Sequence, residues 1–342
     1  MKSKRKMNET YGNSRRYTSR KLWLMLLLLM ITFILSLFIG RVRIPLLGFF
    51  PGFELTAIER SVFYYIRLPR VILVTGVGAA LSLAGASYQS IFRNPLVSPD
   101  ILGVSAGAGF GAALGMLIPG GSLFTIYVLA FLFGIVAVFL AYGISSFGKV
   151  KIIMMLVLAG IVVSSLFNAF ISILKYLADP FEKLPGIVFW LMGGFSRTGW
   201  REVGITLPFV IFGVVVLMVI RWHLNVMPLG DEEAISMGVN VRIVRSTVIL
   251  INTLMVAASV ATVGQVSWVG LVIPHIARFL VGANHRYMLP ATALSGSIFL
   301  LLMDDLARSL TGAEIPISIV TSLLGAPFFA YLLISGRGSG WN

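Results

Sequence analysis

Long apolar segments recur along the whole chain, and they constrain its fold more than any other feature. A helix of about 20 residues crosses the ~30 Å hydrocarbon core of a bilayer, and ten segments approach or exceed that length. They are residues 22–40, 68–92, 101–118, 124–147, 152–177, 203–222, 243–263, 268–282, 288–308 and 315–335. The eighth segment is short and contains Pro274, so we expect it to be kinked or only partly spanning. The pattern predicts an all-α fold, a polytopic integral membrane protein with about ten transmembrane helices.

Composition agrees with a lipid environment. Hydrophobic residues make up 58% of the chain and charged residues 12%, whereas soluble domains carry about 25% charged residues. The chain has no cysteine, which excludes disulfides, thiolate metal sites and cysteine nucleophiles. The histidines at 223, 275 and 285 lack the spacing of a zinc site, so no metal site is predicted.

The distribution of charge predicts an orientation rather than a nucleic-acid partner. The net charge is +14, and most basic residues lie at the N-terminus or in connections that fall inside if both termini are cytoplasmic (N-in, C-in). The apolar run after the basic N-terminus is too long for a signal peptide, so an uncleaved first helix is expected. The predicted organisation is a basic cytoplasmic segment (1–21), a transmembrane domain (22–335, with a long inner connection at 226–241) and a C-terminal tail (336–342).

Glycines at 103, 107, 111 and 115 repeat at four-residue spacing on the third predicted helix. A bare helix face lets a neighbouring helix approach closely. Tight helix packing is therefore predicted there, with the lining of a path as the alternative.

Two short motifs resemble enzyme sequences, but their context argues against catalysis. Residues 143–150 nearly match a phosphate-binding loop, yet they lack its final Ser or Thr and follow a membrane helix rather than a strand. Residues 103–107 match the pattern Gly-x-Ser-x-Gly, which needs a strand-to-helix turn to act as a nucleophile elbow. An intramembrane serine protease, with Ser105 as nucleophile and His275 as base, is therefore disfavoured. The sequence predicts no catalytic residue and no bound cofactor.

The inner connection contains a short helix with an unusual combination of charge and apolar surface. Three acids at its start suit the positive end of a helix dipole, and Gly238 can end the helix. The apolar residues that follow the acids predict a protein partner, with an ordinary capped connector as the alternative. The segment comprises Leu229, Gly230, Asp231, Glu232, Glu233, Ala234, Ile235, Ser236, Met237 and Gly238.

Two polar stripes run along otherwise apolar helices. Polar side chains inside a membrane prefer the protein interior or a wet cavity, so the stripes are candidates for a translocation path, with interhelical hydrogen bonding as the alternative. The candidates are Ser164, Asn168 and Ser172 on the fifth predicted helix and Ser318, Thr321 and Ser322 on the tenth.

A series of motifs also occurs in order along the chain. They are Arg67-Leu68-Pro69-Arg70, Gly76 to Gly85, Arg93-Asn94-Pro95-Leu96, Pro99 to Gly109, Leu229 to Val239, Gly270 to Arg278, His285-Arg286, Glu314-Ile315-Pro316-Ile317 and Leu324 to Phe328. Together they are similar to the permease family of ATP-binding-cassette (ABC) importers for iron-siderophores, haem and cobalamin. The resemblance extends from about Leu22 to Leu333.

The resemblance implies a ten-helix subunit that works as a dimer with a second copy or a related permease. Two cytoplasmic ABC ATPase subunits, which use ATP and Mg²⁺, would bind beneath it, and an extracytoplasmic binding protein would deliver the substrate. The segment matching Leu229–Val239 is the family's coupling helix, which binds in a cleft of the ATPase.

The resemblance also implies a role for three outer arginines. Arg67, Arg70 and Arg308 would face acidic side chains of the binding protein, as exposed charges that steer docking. The alternatives are interfacial anchoring for the first two and a local ion pair of Arg308 with Asp304 or Asp305, at i−4 and i−3.

These observations predict a transport subunit of the bacterial cytoplasmic membrane that catalyses nothing itself and works by alternating access. Its partners would be the ATPases, a second permease, the binding protein and membrane lipid, and not nucleic acid. The two stripes offer no dense charge, which favours a large chelate such as an iron(III)-siderophore; haem, cobalamin and molybdate stay open. An ion-coupled secondary transporter, the alternative from another class, would need an intramembrane carboxylate or a broken-helix ion site.

Overall fold

The computed structural model describes residues 2–42, 44–45, 55–147 and 152–334, and this part of the chain is helical without strands, which confirms the all-α prediction. The α-helices are α1 (Lys2–Phe38), α2 (Ala57–Ser61), α3 (Leu68–Phe92), α4 (Val104–Leu117), α5 (Leu123–Ser146), α6 (Ile152–Leu177), α7 (Lys183–Leu191), α8 (Trp200–Val219), α9 (Arg221–Val226), α10 (Asp231–Ser236), α11 (Val241–Val263), α12 (Val269–Val281), α13 (His285–Ser309) and α14 (Ile317–Ile334). A π-helical segment (Val62–Arg67) joins α2 to α3, and 3-10 turns cover Pro99–Leu102 and Met227–Leu229.

Seven helical stretches are long and apolar enough to cross a bilayer. They are Tyr17–Phe38, Ala57–Phe92, Leu123–Ser146, Ile153–Leu177, Trp200–Val219, Val241–Val263 and His285–Ser309. The other three predicted segments form the shorter apolar helices α4, α12 and α14. The 14 residues of α4 extend only ~21 Å at 1.5 Å per residue. The count of ten spans and the N-in, C-in orientation therefore stay predictions.

Two helices lie where outer loops were expected. The helix before α3 begins with a capping box in which the N–H of Glu59 donates to the Thr56 hydroxyl at 3.3 Å and the N–H of Thr56 donates to the Glu59 carboxylate at 2.8 Å. This pattern, Thr-x-x-Glu, is a start signal for a helix. The second is α7, which lies inside the expected loop 178–202. Its nine residues are mostly apolar but too few to span a membrane.

The core is built around α3 and α11. In the most apolar stretch of each of these helices 78% of the residues are buried, against 17% in α1. Helix α3 packs against α8, α11, α12 and α13, while α4 packs between α5 and α6. A chain arranged in this way has central helices that contact mainly protein and outer helices whose large apolar side chains suit lipid.

The glycines of α4 allow its backbone to approach α5. A Cβ atom at Gly107 would lie 2.3 Å from the carbonyl oxygen of Phe133, and one at Gly111 would lie 2.2 Å from that of Leu129. These contacts confirm the close packing predicted from the glycine repeat. Gly103 differs from the prediction, because it caps α4 with φ +83° and faces α6.

Candidate functional site

Helix α10 is the short helix predicted from the sequence in the connection 226–241, and its end is defined by backbone hydrogen bonds. The N–H of Gly238 donates to the carbonyl of Ile235, and the N–H of Val239 donates to that of Ala234, both at 2.9 Å. Gly238 has φ +81°. This is the Schellman arrangement, in which a glycine in the left-handed region ends a helix, and it confirms that Gly238 stops α10.

The apolar surface of the segment differs in one residue from the prediction. Leu229 is 60% exposed, Ile235 63% and Met237 50%, whereas Ala234 is fully buried. Ala234 belongs to the buried hydrophobic core, as does Val239, whose N–H donates to the carbonyl of Ala234. The coupling face, as we call the exposed set Leu229, Ile235 and Met237, is therefore the surface that is free to contact a partner.

Asp231 anchors α10 to two membrane helices. Its carboxylate accepts from the guanidinium of Arg93, at the end of α3, and from that of Arg245 on α11 at 3.1 Å. The Nε of Arg93 also donates to the carbonyl of Met227 at 3.0 Å. Beyond its predicted places at the helix dipole and in the coupling segment, Asp231 is the point where the segment is attached to α3 and α11.

The other polar residues of the segment face solvent. Glu232, Glu233 and Ser236 are exposed, and the Ser236 hydroxyl donates to the carbonyl of Glu233 at 2.7 Å. Gly230 has φ +140°, and a Cβ atom there would lie 1.8 Å from a carboxylate oxygen of Glu233. The turn before α10 therefore requires glycine, and two exposed acids, Glu232 and Glu233, lie beside the coupling face.

Arg70, one of the three arginines predicted to lie on the outer side, is buried and forms two ion pairs. Its guanidinium contacts the carboxylate of Asp304 at 2.8 Å and that of Glu314 at 2.9 Å. The Arg70 guanidinium donates three hydrogen bonds to Asp304 and two to Glu314. A charged side chain tolerates burial when it is paired with an opposite charge and makes several hydrogen bonds.

Arg308 pairs locally, as the alternative for this residue predicted. Its Nε lies 3.7 Å from the Asp304 carboxylate, and its Nη2 donates to the Asp305 carboxylate. The same nitrogen donates to the carbonyl of Ser36 at 2.6 Å, and the Ser36 hydroxyl donates to Asp305 at 2.7 Å. These contacts fix α13 against α1.

Arg67 bonds to backbone rather than to an acid. Its guanidinium donates to the carbonyl of Leu37 at 2.9 Å and to that of Val42. It thereby fixes the end of α1 to the π-helical segment.

The expectation that these three arginines are exposed is wrong. Arg67 is 4% exposed, and Arg70 and Arg308 are each 5% exposed. The physical reason is that α1, α3 and α13 converge at this end and supply acids and carbonyls that compensate the charges. A role in docking stays a prediction. Sequence reasoning missed Glu314 and Ser36 as partners, although Glu314 belonged to one of the family motifs.

Glu314 lies in the connection between α13 and α14, outside the membrane-spanning helices, and its pKa is shifted. Burial opposes its ionisation, but hydrogen bonds from Arg70 and the charges of Arg70, Arg41 and Arg308 more than offset this, so the pKa of Glu314 is lowered from its usual 4.5. The carboxylate is therefore ionised at neutral pH.

The polar stripe on α6 is only partly enclosed. Ser164 is half-buried beside Gly103, whereas Asn168 and Ser172 are exposed. The Ser172 hydroxyl donates to the carbonyl of Asn168 at 2.9 Å. An exposed amide on an apolar helix is unfavourable in lipid, so this face is expected to be covered by protein or water.

The stripe on α14 is largely satisfied within the chain. The Ser318 hydroxyl donates to the carbonyl of Gln265 at 2.6 Å, and buried Thr321 donates to that of Ile317 at 3.0 Å. Ser322 is half-buried. The bond of Ser318 leaves its own helix, whereas that of Thr321 stays within α14, so the alternative of interhelical hydrogen bonding does not describe Thr321.

The predicted segments 243–263 and 268–282 left a short connection between α11 and α12, but sequence reasoning missed the contacts that this connection makes. The Gln265 amide donates to the carbonyl of Ser105 on α4 at 3.2 Å, so this connection links α4 to α14. Trp268 caps α12 with φ +71°. Gly264, with φ +73°, was the one local signal for the break in the helix.

Comparison with known proteins agrees with these features. The model of the FecCD transport family matches residues 28–335. The chain is 42% identical to the molybdate import system permease protein MolB of Haemophilus influenzae, over 92% of this chain and 96% of that protein. It is 36% identical to the hemin transport system permease protein HmuU of Yersinia pestis, over 80% of this chain and 81% of that one.

A solved structure described as an inward-facing metal-chelate type ABC transporter is also similar, with a TM-score of 0.85 and 40% identity, and the match covers 93% of this chain and 99% of that one. The resemblance found in the sequence motifs is thereby confirmed. The chain belongs to the FecCD transport family of ABC importer permeases and is a multi-pass protein of the bacterial cytoplasmic membrane.

Proposed function

We propose that the chain forms the translocation path of an ATP-driven importer and that α10 transmits the movements of separate ATPase subunits. The observation that carries the proposal is the coupling face, three large apolar side chains exposed on and beside the short helix α10, outside the apolar spans. Exposed apolar surface outside lipid favours a protein partner. Asp231 attaches that face to α3 and α11, the two most buried spans.

The mechanism follows from this attachment. ATP binding closes the ATPase dimer and displaces α10, and the ion pairs of Asp231 carry the displacement to α3 and α11. The helices that line the path then reorient between inward-open and outward-open states. A partner shifts this equilibrium only by the difference in its affinity for the two states.

Two permease chains, either two copies or this chain with a related one, would enclose the path. Asn168 and Ser172 support this arrangement, because in a lone chain they would face lipid. A second chain would enclose them in a wet central cavity.

An extracytoplasmic binding protein would deliver the substrate at the end of the molecule that contains Arg67, Arg70 and Arg308. The family resemblance supports this assignment. Because all three side chains are buried, the partner would have to reach them through a cavity rather than meet them on a flat surface.

We propose an iron(III)-siderophore or a similar metal chelate as the substrate. The candidate path residues are neutral hydroxyl and amide groups, which suit a large chelate that must be released rather than held. The similarity to HmuU and to the metal-chelate type transporter supports this class. Molybdate is the second candidate, favoured by the 42% identity to MolB over 92% of the chain.

The structure gives little support to an ion-coupled secondary transporter. Asp304 and Asp305 are the acids inside an apolar span of α13, and both contact arginines. A coupling-ion site would need such a carboxylate to be available to the ion.

Cross-linking can test the ATPase contact, because the chain has no cysteine of its own. Ile235→Cys and Met237→Cys should form cross-links to the ATPase subunit with a short bifunctional reagent. Phe181→Cys, which is 90% exposed in the stretch predicted to lie outside, is the matched control and should form none. Cross-links absent at both inner positions, with the ATPase bound and active, would contradict the assignment.

Uptake assays can separate the substrate candidates. Vesicles containing the complete importer should accumulate one class among ferric siderophores, haem, cobalamin and molybdate. Uptake of molybdate without any chelate would replace the first candidate by the second.

A further inference from the structure

A groove of about 280 Å³ runs between α5 and α11. Its walls are open to the surroundings, since Phe139 on α5 is 64% exposed and Leu250 on α11 is 51% exposed. Its floor is buried, because Val138 and Ile249 are each 5% exposed. Both helices are long and apolar enough to cross a bilayer. The groove is therefore continuous with the lipid-facing surface of two membrane spans.

The deep part of this groove is apolar. Ile135 and Leu254 line its end. Thr253, which lies beside Leu254, is buried and donates its hydroxyl hydrogen to the carbonyl of Ile249 at 2.7 Å. Water does not fill a cavity with such a lining, so an occupant of the deep part must itself be apolar.

Two hydroxyl groups mark the other end of the groove. Tyr142 and Ser246 both line it and are both exposed. Tyr142 is four residues before the end of α5, and Ser246 is five residues after the start of α11, so both lie within about 6–8 Å of the helix ends. Tyrosine is enriched at this depth of a membrane, where hydrocarbon meets the head groups. The groove thus combines a polar end and an apolar part, as a phospholipid does.

The length of the groove corresponds to one leaflet. From Ile135 to Tyr142 helix α5 rises by about 10 Å, and from Ser246 to Leu254 helix α11 rises by about 12 Å. One leaflet contributes about half of the ~30 Å hydrocarbon core. An acyl chain that enters at the polar end would therefore end near the membrane centre.

A second permease chain is the other candidate to cover the groove. Asn168 and Ser172, the exposed polar residues that favour such a chain, are on α6. The described residues that line the groove are on α5 and α11 instead. Contact with a second chain is therefore favoured at α6, which leaves the groove to lipid.

We propose that this groove, the acyl groove, binds one acyl chain of a membrane phospholipid, with the ester groups of that lipid at Tyr142 and Ser246. The two hydroxyls can donate hydrogen bonds to the ester oxygens, and the chain fills the space between α5 and α11. The lipid belongs to the leaflet on the side of α10, because α11 begins shortly after the coupling segment. That this leaflet is the cytoplasmic one rests on the proposed contact of α10 with the ATPase.

Photo-cross-linking tests the position of the lipid. The complete importer is embedded in nanodiscs of phosphatidylethanolamine and phosphatidylglycerol, with a trace of phosphatidylglycerol that contains a diazirine in one acyl chain. A diazirine at the chain end should react with Ile135 and Leu254, and one close to the ester should react with Tyr142 and Ser246, as mapped by peptide mass spectrometry. Adducts spread evenly over the exposed positions of α5, α8 and α11 would show a general lipid coat and overturn the proposal, as would the reverse order of the two probes.

Substitutions that fill the groove test its affinity. Leu250→Trp and Leu254→Trp each place a larger side chain in it, and two variants keep the test valid if one folds poorly. Exclusion of only two methylene groups of the lipid should weaken binding about tenfold. The Kd of phosphatidylglycerol for the delipidated importer, measured by native mass spectrometry, should rise by that factor in both variants.

Leu140→Trp is the matched control. Leu140 is 44% exposed on α5 next to Phe139 but lies outside the groove, so the Kd should change by less than about twofold, less than the loss of one buried methylene group would cause. An unchanged Kd in both groove variants would overturn the proposal.

A cysteine on the groove wall tests for a protein occupant, since the chain has no cysteine of its own. Leu250→Cys should form no cross-link to the second permease, and an efficient cross-link would replace the lipid by protein and overturn the proposal. The groove and the coupling role can fail separately. Lipid adducts in the groove without a cross-link from Ile235→Cys to the ATPase would refute the coupling role and leave the acyl groove in place.

Discussion

Replacement of Asp231 by Asn tests the attachment of the coupling segment to the membrane helices. The variant removes the charge that pairs with Arg93 and Arg245 and leaves the exposed coupling face unchanged. We expect α10 to bind the ATPase as before but to transmit its movement poorly. Transport per ATP hydrolysed should fall, while the binding of the ATPase should not.

The free-energy cost of Asp231→Asn can be worked out from the exposure of Asp231 and its two arginine partners. The side chains of Asp231, Arg93 and Arg245 are 45%, 31% and 10% exposed. Exposed pairs contribute about 0–1 kcal/mol and hydrogen bonds to charged groups about 1.5–3 kcal/mol, so the loss of both contacts should cost about 1–2 kcal/mol, with Asn retaining one acceptor. Since 1.4 kcal/mol is a factor of ten, the attached fraction of α10 should shift about five- to thirtyfold.

The assay measures substrate uptake and ATP hydrolysis in the same proteoliposomes. The ratio of the two should fall at least about fivefold for Asp231→Asn. Arg242→Gln is the control, because Arg242 is exposed on the first turn of α11 beside the same interface. Reversing the exposed charges of Glu232 and Glu233 to Lys should instead weaken ATPase binding. An unchanged ratio in Asp231→Asn, or loss of the bound ATPase, would refute the reasoning.

Three further outcomes are expected. Gly111→Ala should lower stability by about 1–3 kcal/mol, because its Cβ would lie 2.2 Å from the carbonyl oxygen of Leu129, whereas Gly143→Ala, with no neighbour within 4 Å, should not; thermal unfolding in detergent compares the two. Asp304→Asn should destabilise by about 3–5 kcal/mol, since it leaves buried arginine charge uncompensated, as measured by the same method. The lowered pKa of Glu314 means that its ionised form contributes stability above pH 4.5, and that this contribution is lost as pH falls through the lowered pKa; a melting temperature that already drops between pH 7 and 5 in the unaltered chain but not in Glu314→Gln would contradict this.

The helices could be predicted because their signals are local. The predicted segment 243–263 is α11 (Val241–Val263), and the predicted segment 68–92 is α3 (Leu68–Phe92). Apolar length and the charges between segments suffice for this. Helix α7 was missed because a short apolar stretch does not distinguish an outer loop from a packed helix.

In the candidate sites too, local features could be predicted from the sequence, whereas contacts between distant residues could not. The end of α10 at Gly238 and the pairing of Arg308 with acids three and four residues earlier were readable from spacing. The pairs between Arg93 and Asp231 and between Arg70 and Glu314 join residues 138 and 244 positions apart. Such partners depend on helix packing, which spacing along the chain does not specify. Arg67, Arg70 and Arg308 were therefore expected at the surface although they are buried.

Energy-dependent uptake by purified components tests the central claim most directly. Proteoliposomes with this chain, its ATPase and its binding protein should accumulate substrate only when ATP is present, and vanadate should abolish the uptake. Vesicles that accumulate substrate without the ATPase, and that lose this ability when a proton or sodium ionophore is added, would show that the chain draws on an ion gradient and would contradict the account.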